Sequence, residues 1–188
     1  MKTKNQITNS IKRYEIISHW INNCDSKSSF LLGFYGVILT VIASSKLIDN
    51  MKIIFLLKPC VNCIDINSVI NFILLITLIA FIFFTIKCFY FIYYTLKARI
   101  NPDLYSQNQL NTNSSVFFLT ISKNRFEDFE NRINNENKLA FLNDINSQVY
   151  INSCIATQKF INYNKSLNAT FFGLISLIVF IVLNQYNY

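Results

Sequence analysis

Three uncharged apolar runs, each close to the length that crosses a bilayer, constrain this chain more than any other feature. A membrane helix needs about 20 mostly apolar residues, because about 30 Å of hydrocarbon is covered at about 1.5 Å per residue. Ser29–Ser45, Val69–Ile86 (VINFILLITLIAFIFFTI, prolonged by aromatic residues to Leu96) and Ala169–Leu183 (ATFFGLISLIVFIVL) all approach that length. A fourth run, Leu47–Leu57, is shorter and holds Asp49 and Lys52, so it is expected as an interfacial or extracytoplasmic element. Only 14% of the 188 residues are charged, against roughly a quarter in soluble domains. Lipid therefore takes much of the chain and leaves too little for a large enzyme core. His19 is the sole histidine, which excludes chemistry that needs two imidazoles.

Charge sets the expected topology. A Lys at the bilayer centre costs about 2.5 to 3.5 kcal/mol on insertion scales, so the second run should slide until Lys87 meets an interface. Tyr90, Tyr93 and Tyr94 follow as an aromatic belt, then Lys97 and Arg99. Lys and Arg number five in residues 1–28, three in 46–68, nine in 87–168 and none in 184–188. With three crossings, fourteen lie on one side and three on the other, which places the N-terminus and the long connection in the cytoplasm. The net charge of +7 then needs no nucleic acid to explain it. A cleaved signal peptide ending near Ala43 competes for the first run, but 28 helix-patterned residues precede it, so a retained anchor fits better.

The cytoplasmic parts are patterned as helices. Ile7, Ile11, Tyr14, Ile17 and Ile21 recur at helical spacing, which predicts a helix from about Asn9 straight into the first crossing. Pro102 blocks continuation of the second crossing, and an Asn, Gln and Ser-rich loop follows to Ser115. Val116–Ile121 is expected as an extended apolar segment, and Ser122 as the cap of a helix carrying Phe126, Phe129 and Ile133. From Asn137, Leu142, Ile145, Val149, Ala156, Tyr163 and Leu167 form a heptad-like seam without a breaker, so one helix should run to about Leu183. The expected fold is an all-α membrane protein: three transmembrane helices, two of them extended into a cytoplasmic helical bundle. Its regions are an amphipathic helix (1–28), two crossings with an extracytoplasmic loop (29–96, loop 46–68), a cytoplasmic sensor region (97–168) and the last crossing with an outer C-terminus (169–188).

Two small-residue stripes, Gly33, Gly36, Thr40, Ala43 and Ser44 in the first crossing and Ala169, Gly173 and Ser176 in the third, predict close helix pairing. Among five cysteines only Cys60 and Cys63 have suggestive spacing. Free thiols or a local disulfide suit that loop better than a metal, since a lone CxxC lacks the second pair that zinc requires. Asp103, Glu127, Asp128 and Glu130 do not assemble into an acid pair. No catalytic residue and no metal site are expected.

His19-Trp20, Cys24 to Lys27, Phe30 to Gly33 with Gly36, then Phe117-Phe118, Ile121, Phe126 to Phe129, Gln148 to Tyr150, Ile155-Ala156 and Lys159-Phe160 form a set of short motifs. Together they resemble the transmembrane effector family of the bacterial Pycsar anti-phage systems. Ser28 stands where that pattern more usually has Ala. The resemblance spans about Arg13 to Leu183. It implies a bacterial inner-membrane protein with a cytoplasmic N-terminus, a pyrimidine cyclase upstream, and a cyclic pyrimidine mononucleotide, cCMP or cUMP, as activating ligand. Membrane impairment in abortive infection would be its output.

A cyclic phosphate needs a cation or helix N-terminus, and a pyrimidine needs an aromatic face with edge hydrogen bonds. Lys27, Arg125 and Lys159 are candidates for the phosphate, Trp20 and Tyr150 for stacking, and Gln148 for a base edge. Asp25 accompanies Lys27 in the motif, and the two could equally be a structural pair. A homo-oligomer is expected, because three thin helices cannot enclose a pore. A membrane-anchored interaction subunit and a constitutive holin-like channel former are the rival classes.

Overall fold

The computed structural model describes residues 2–44, 66–98, 107, 110–111 and 113–186. Among them are five helices and no strand: α1 (Lys2–Ser44), α2 (Ile66–Leu96), α3 (Phe118–Lys123), α4 (Phe126–Asn135) and α5 (Lys138–Tyr186). Helices α1, α2 and α5 are each long and apolar enough to cross a membrane. The fold is therefore all-helical with three candidate spans. Pro102, Asp103, the Cys60 and Cys63 pair and the loop that holds it lie outside the described residues.

All three long helices bury positions separated alternately by three and four residues. On α1 the buried and half-buried line runs Ser10, Tyr14, Ile17, Ile21, Cys24, Ser28, Leu31 and Tyr35. On α2 it runs Leu74, Leu78, Phe81, Thr85, Cys88, Ile92 and Thr95. On α5 it includes Ser166, Thr170, Gly173, Leu177, Phe180 and Asn184. A repeat of 3.5 residues keeps a seam facing its neighbour along a whole supercoiled helix, so these helices pack in the manner of a coiled coil. The expected seam on α5 is displaced: Leu167 is exposed, and the buried line passes through Lys159 and Ser166 instead.

The chain divides into two compact units. The first comprises Met1–Ser26 with Lys97–Phe160, and the second Lys27–Leu96 with Ile161–Tyr188. In the second unit, Leu31, Tyr35, Cys88, Ile92 and Ala169 form one buried cluster, and Leu74, Leu78 and Phe180 another. Outward-facing apolar side chains such as Phe72, Ile79, Phe83, Phe171 and Ile178 suit contact with lipid. Here the sequence-based reading of small residues is corrected. A Cβ on Gly33 or Gly36 would meet nothing within 4 Å, whereas one on Gly173 would come 3.3 Å from the Tyr35 hydroxyl and 3.4 Å from the Phe84 Cβ. Among the glycines, close approach is therefore confined to Gly173, and Ala169 of the same stripe is buried with Leu31, Tyr35, Cys88 and Ile92.

The interior of the first unit is far more polar. Ser114, Thr120, Asp144, Ser147, Gln148 and Lys159 are buried there beside Cys24, Ile145 and Ile151. The segment before α3 is clasped to α5 by Asp144, whose Oδ2 accepts from the Ser115 N–H at 2.6 Å and from its hydroxyl at 2.9 Å. The Ser114 hydroxyl accepts from the N–H groups of Val116 and Phe117, and the Thr120 hydroxyl donates to the Ser114 carbonyl at 2.6 Å. These bonds satisfy donors ahead of the first turn, so Phe118–Lys123 is helix where an extended segment was expected. The next helix also begins later than expected: Arg125, not Ser122, occupies its N-cap position. Asn137 caps α5 by accepting from the N–H groups of Leu139 and Ala140.

Candidate ligand-sensing site

Two polar features of the first unit lie on α1 and α5. One is an ion pair. Lys159 occupies a buried register on α5, so its stem crosses packed surface and its Nζ reaches Asp25 Oδ1 on α1 at 2.5 Å. The Lys159 side chain is 6% exposed and that of Asp25 35%. Next to it in sequence, Phe160 meets the Trp20 ring edge-on, with centroids 6.1 Å apart at 67°. Trp20, Asp25, Lys159 and Phe160 thus fasten α1 to α5, and Trp20 keeps about half its surface exposed.

Gln148 is buried, while Tyr150 is exposed and its hydroxyl accepts from Gln107 Nε2 at 3.1 Å. Residues two apart on a helix face different sides, so these two do not share one face of α5. Arg125 is exposed at the start of α4. Lys27 is exposed on α1 and belongs to the second unit.

The second polar feature escaped the sequence reading. A cleft of about 250 Å³ is lined by Gln6, Asn9, Ser10 and Arg13 of α1 and by Leu142 and Asn146 of α5. The α1 set falls at i, i+3, i+4 and i+7, one helix face. Ser10 is buried and donates to Asn146 Oδ1 at 2.8 Å, which orients that amide with both N–H donors left over. Arg13 is exposed and, among the described residues, makes no ion pair. A guanidinium matches a phosphate through paired hydrogen bonds, and carboxamides carry both a donor and an acceptor for a base edge. Such a set can recognise a small polar anion. The signal that could have found it was present in the sequence, as four polar residues in helical register beside the apolar stripe.

Comparison with known proteins follows the same lines. A family model described as the Pycsar effector protein domain matches residues 11–184. The chain is 33% identical over 185 residues to a protein described as Pycsar effector protein GmPycTM from Gulbenkiania mobilis, a match covering 93% of this chain and 89% of that one. No solved structure matches.

Proposed function

Since the chain belongs to the Pycsar transmembrane effector family, we propose that it senses a cyclic pyrimidine mononucleotide, cCMP or cUMP, and impairs the inner membrane of an infected cell. The observation that carries this reading is the extent of the family match. Residues 11–184 include most of the polar first unit and nearly all of the three candidate spans, so the match extends well beyond an anchor, while Gln6, Asn9 and Ser10 of the cleft precede it. A nucleotide cyclase acting upstream supplies the signal, and the lipid bilayer is the target. The excess of Lys and Arg on one side of the crossings supports a cytoplasmic N-terminus and sensor.

The ligand enters the cleft of the first unit. Arg13 pairs with the cyclic phosphate, while Asn9, Gln6 and Asn146 address the pyrimidine edge, Leu142 giving the ring an apolar floor. Lys159, Asp25 and Trp20 act farther along the same two helices as the clasp that sets the packing of α1 against α5. A ligand that favours one packing shifts the population toward it, and α1 and α5 themselves continue into candidate spans. The protein works by recognition and membrane perturbation, with oligomers of the chain forming the lesion.

Isothermal calorimetry on the detergent-purified full chain tests the sensing step. Binding is expected for cCMP or cUMP and absent for cAMP and cGMP. Arg13→Ala should weaken it about 10- to 100-fold, the range of one charge-assisted phosphate contact of roughly 1.5 to 3 kcal/mol. Unchanged affinity in that variant would remove the cleft from the proposal, and silence with every nucleotide would favour the interaction-subunit reading.

A further inference from the structure

We infer that a second cleft, on the candidate spans α2 and α5, holds the headgroup of an anionic phospholipid. It has a volume of about 410 Å³. Phe84, Lys87 and Phe91 of α2 line one side, and Lys165, Asn168 and Phe172 of α5 the other. Each set repeats at three- to four-residue intervals, so each is a single helix face.

Depth places this cleft at the membrane boundary. The uncharged stretch Val69–Ile86 covers about 27 Å as helix, which brings Lys87 to the edge of the hydrocarbon. Lys165 precedes the uncharged run at Ala169 by about one turn. The Cys88 sulfur and the Thr170 hydroxyl, 3.3 Å apart, lock α2 to α5 at the same level. Phe84 lies about one turn deeper than Lys87 and Phe172 about two turns deeper than Lys165, which makes an apolar wall for acyl chains.

Charge identifies the occupant. The described residues of this unit contain Lys27, Lys87 and Lys165 and no Asp, Glu or Arg. Both cleft lysines are exposed, and each lies over an aromatic ring: Lys87 Nζ is 5.9 Å from the Phe83 centroid and Lys165 Nζ 5.4 Å from that of Phe91. Two ammonium groups with no carboxylate among the described residues of their unit call for an anion from outside. A phosphodiester at lipid depth is supplied by a headgroup, and Asn168 can donate to the same group. Zwitterionic headgroups fit poorly, since their amine meets no counter-ion here. Basic pockets between membrane helices select anionic lipids for this reason.

The test titrates the full chain in detergent with dioleoylphosphatidylglycerol or dioleoylphosphatidylcholine and counts bound lipid by native mass spectrometry. The first phosphatidylglycerol should bind at least tenfold more tightly than phosphatidylcholine. Lys87→Gln with Lys165→Gln should weaken it about 30-fold and each single change about fivefold, with helicity unchanged because both side chains are exposed. Should the pair lose helicity, the single variants decide. Lys4→Gln with Lys123→Gln, which removes equal charge elsewhere, should retain the preference. Equal binding of the two lipids, or an equal loss in the charge-matched variant, would overturn the inference. So would one-for-one displacement of phosphatidylglycerol by cCMP or cUMP, which would reassign the cleft to the nucleotide.

Discussion

Removing Asp25 and removing Lys159 should have unequal effects, although they dissolve the same ion pair. Asp25→Ala takes the carboxylate from an ammonium whose side chain is 6% exposed. Breaking a fully buried pair in this way costs about 3 to 5 kcal/mol. Asp25 is itself 35% exposed, so water reaches the pair, and the expected cost falls to about 2 kcal/mol. Lys159→Met instead removes the buried charge, keeps an apolar chain in its channel, and leaves a carboxylate that solvent can reach. Its expected cost is about 0 to 1 kcal/mol. For a chain of this size each kcal/mol moves Tm by roughly 2 to 4 °C. Asp25→Ala should therefore lower Tm by about 4 to 8 °C in a detergent melt followed by circular dichroism, and Lys159→Met by less than about 4 °C. The double variant should recover most of the Asp25→Ala loss. A larger loss in Lys159→Met than in Asp25→Ala would refute the assignment of the cost to a buried cation deprived of its carboxylate.

Three further outcomes follow from the packing. Gly173→Leu should destabilise by about 1 to 3 kcal/mol through collision with Tyr35 and Phe84, while Gly36→Ala, with nothing near its Cβ, should leave Tm within about 2 °C. Asp144→Ala should cost about 1 to 3 kcal/mol, because the Ser115 N–H loses its acceptor while the hydroxyl keeps only the longer contacts to Glu136, and limited proteolysis should then cut around Ser114 and Ser115 sooner. Asn137→Ala should remove the α5 cap at about 1 kcal/mol, seen as faster amide exchange at Leu139 and Ala140.

What was legible in the sequence was what local pattern and hydrophobicity decide. The uncharged runs marked the spans, and the absence of a breaker after Asn137 predicted a helix that the structure shows from Lys138 to Tyr186. What was illegible depended on partners distant in the chain. Val116–Ile121 carries the composition of a short strand, yet Asp144, 29 residues from Ser115 in sequence, anchors the segment where a helix can start. Lys159 lies in a buried register because Asp25, 134 residues away, receives it. A hydrophobic pattern assigns that register to apolar neighbours and so misplaced the seam at Leu167. The Gln6, Asn9, Ser10 and Arg13 face looked like solvated surface until Leu142 and Asn146 closed the other side of the cleft. The Pycsar resemblance was legible because its short motifs are spread along most of the chain, which the match over residues 11–184 bears out.

The central claim is that nucleotide recognition and membrane impairment reside in this one chain. Dye-loaded liposomes containing the purified full-length protein test it most directly, with cCMP or cUMP supplied on both sides of the bilayer. The account predicts rapid dye release that rises with cognate nucleotide and needs about 10- to 100-fold more of it in Arg13→Ala. Equal leakage with and without nucleotide would contradict it and leave a constitutive pore former in its place.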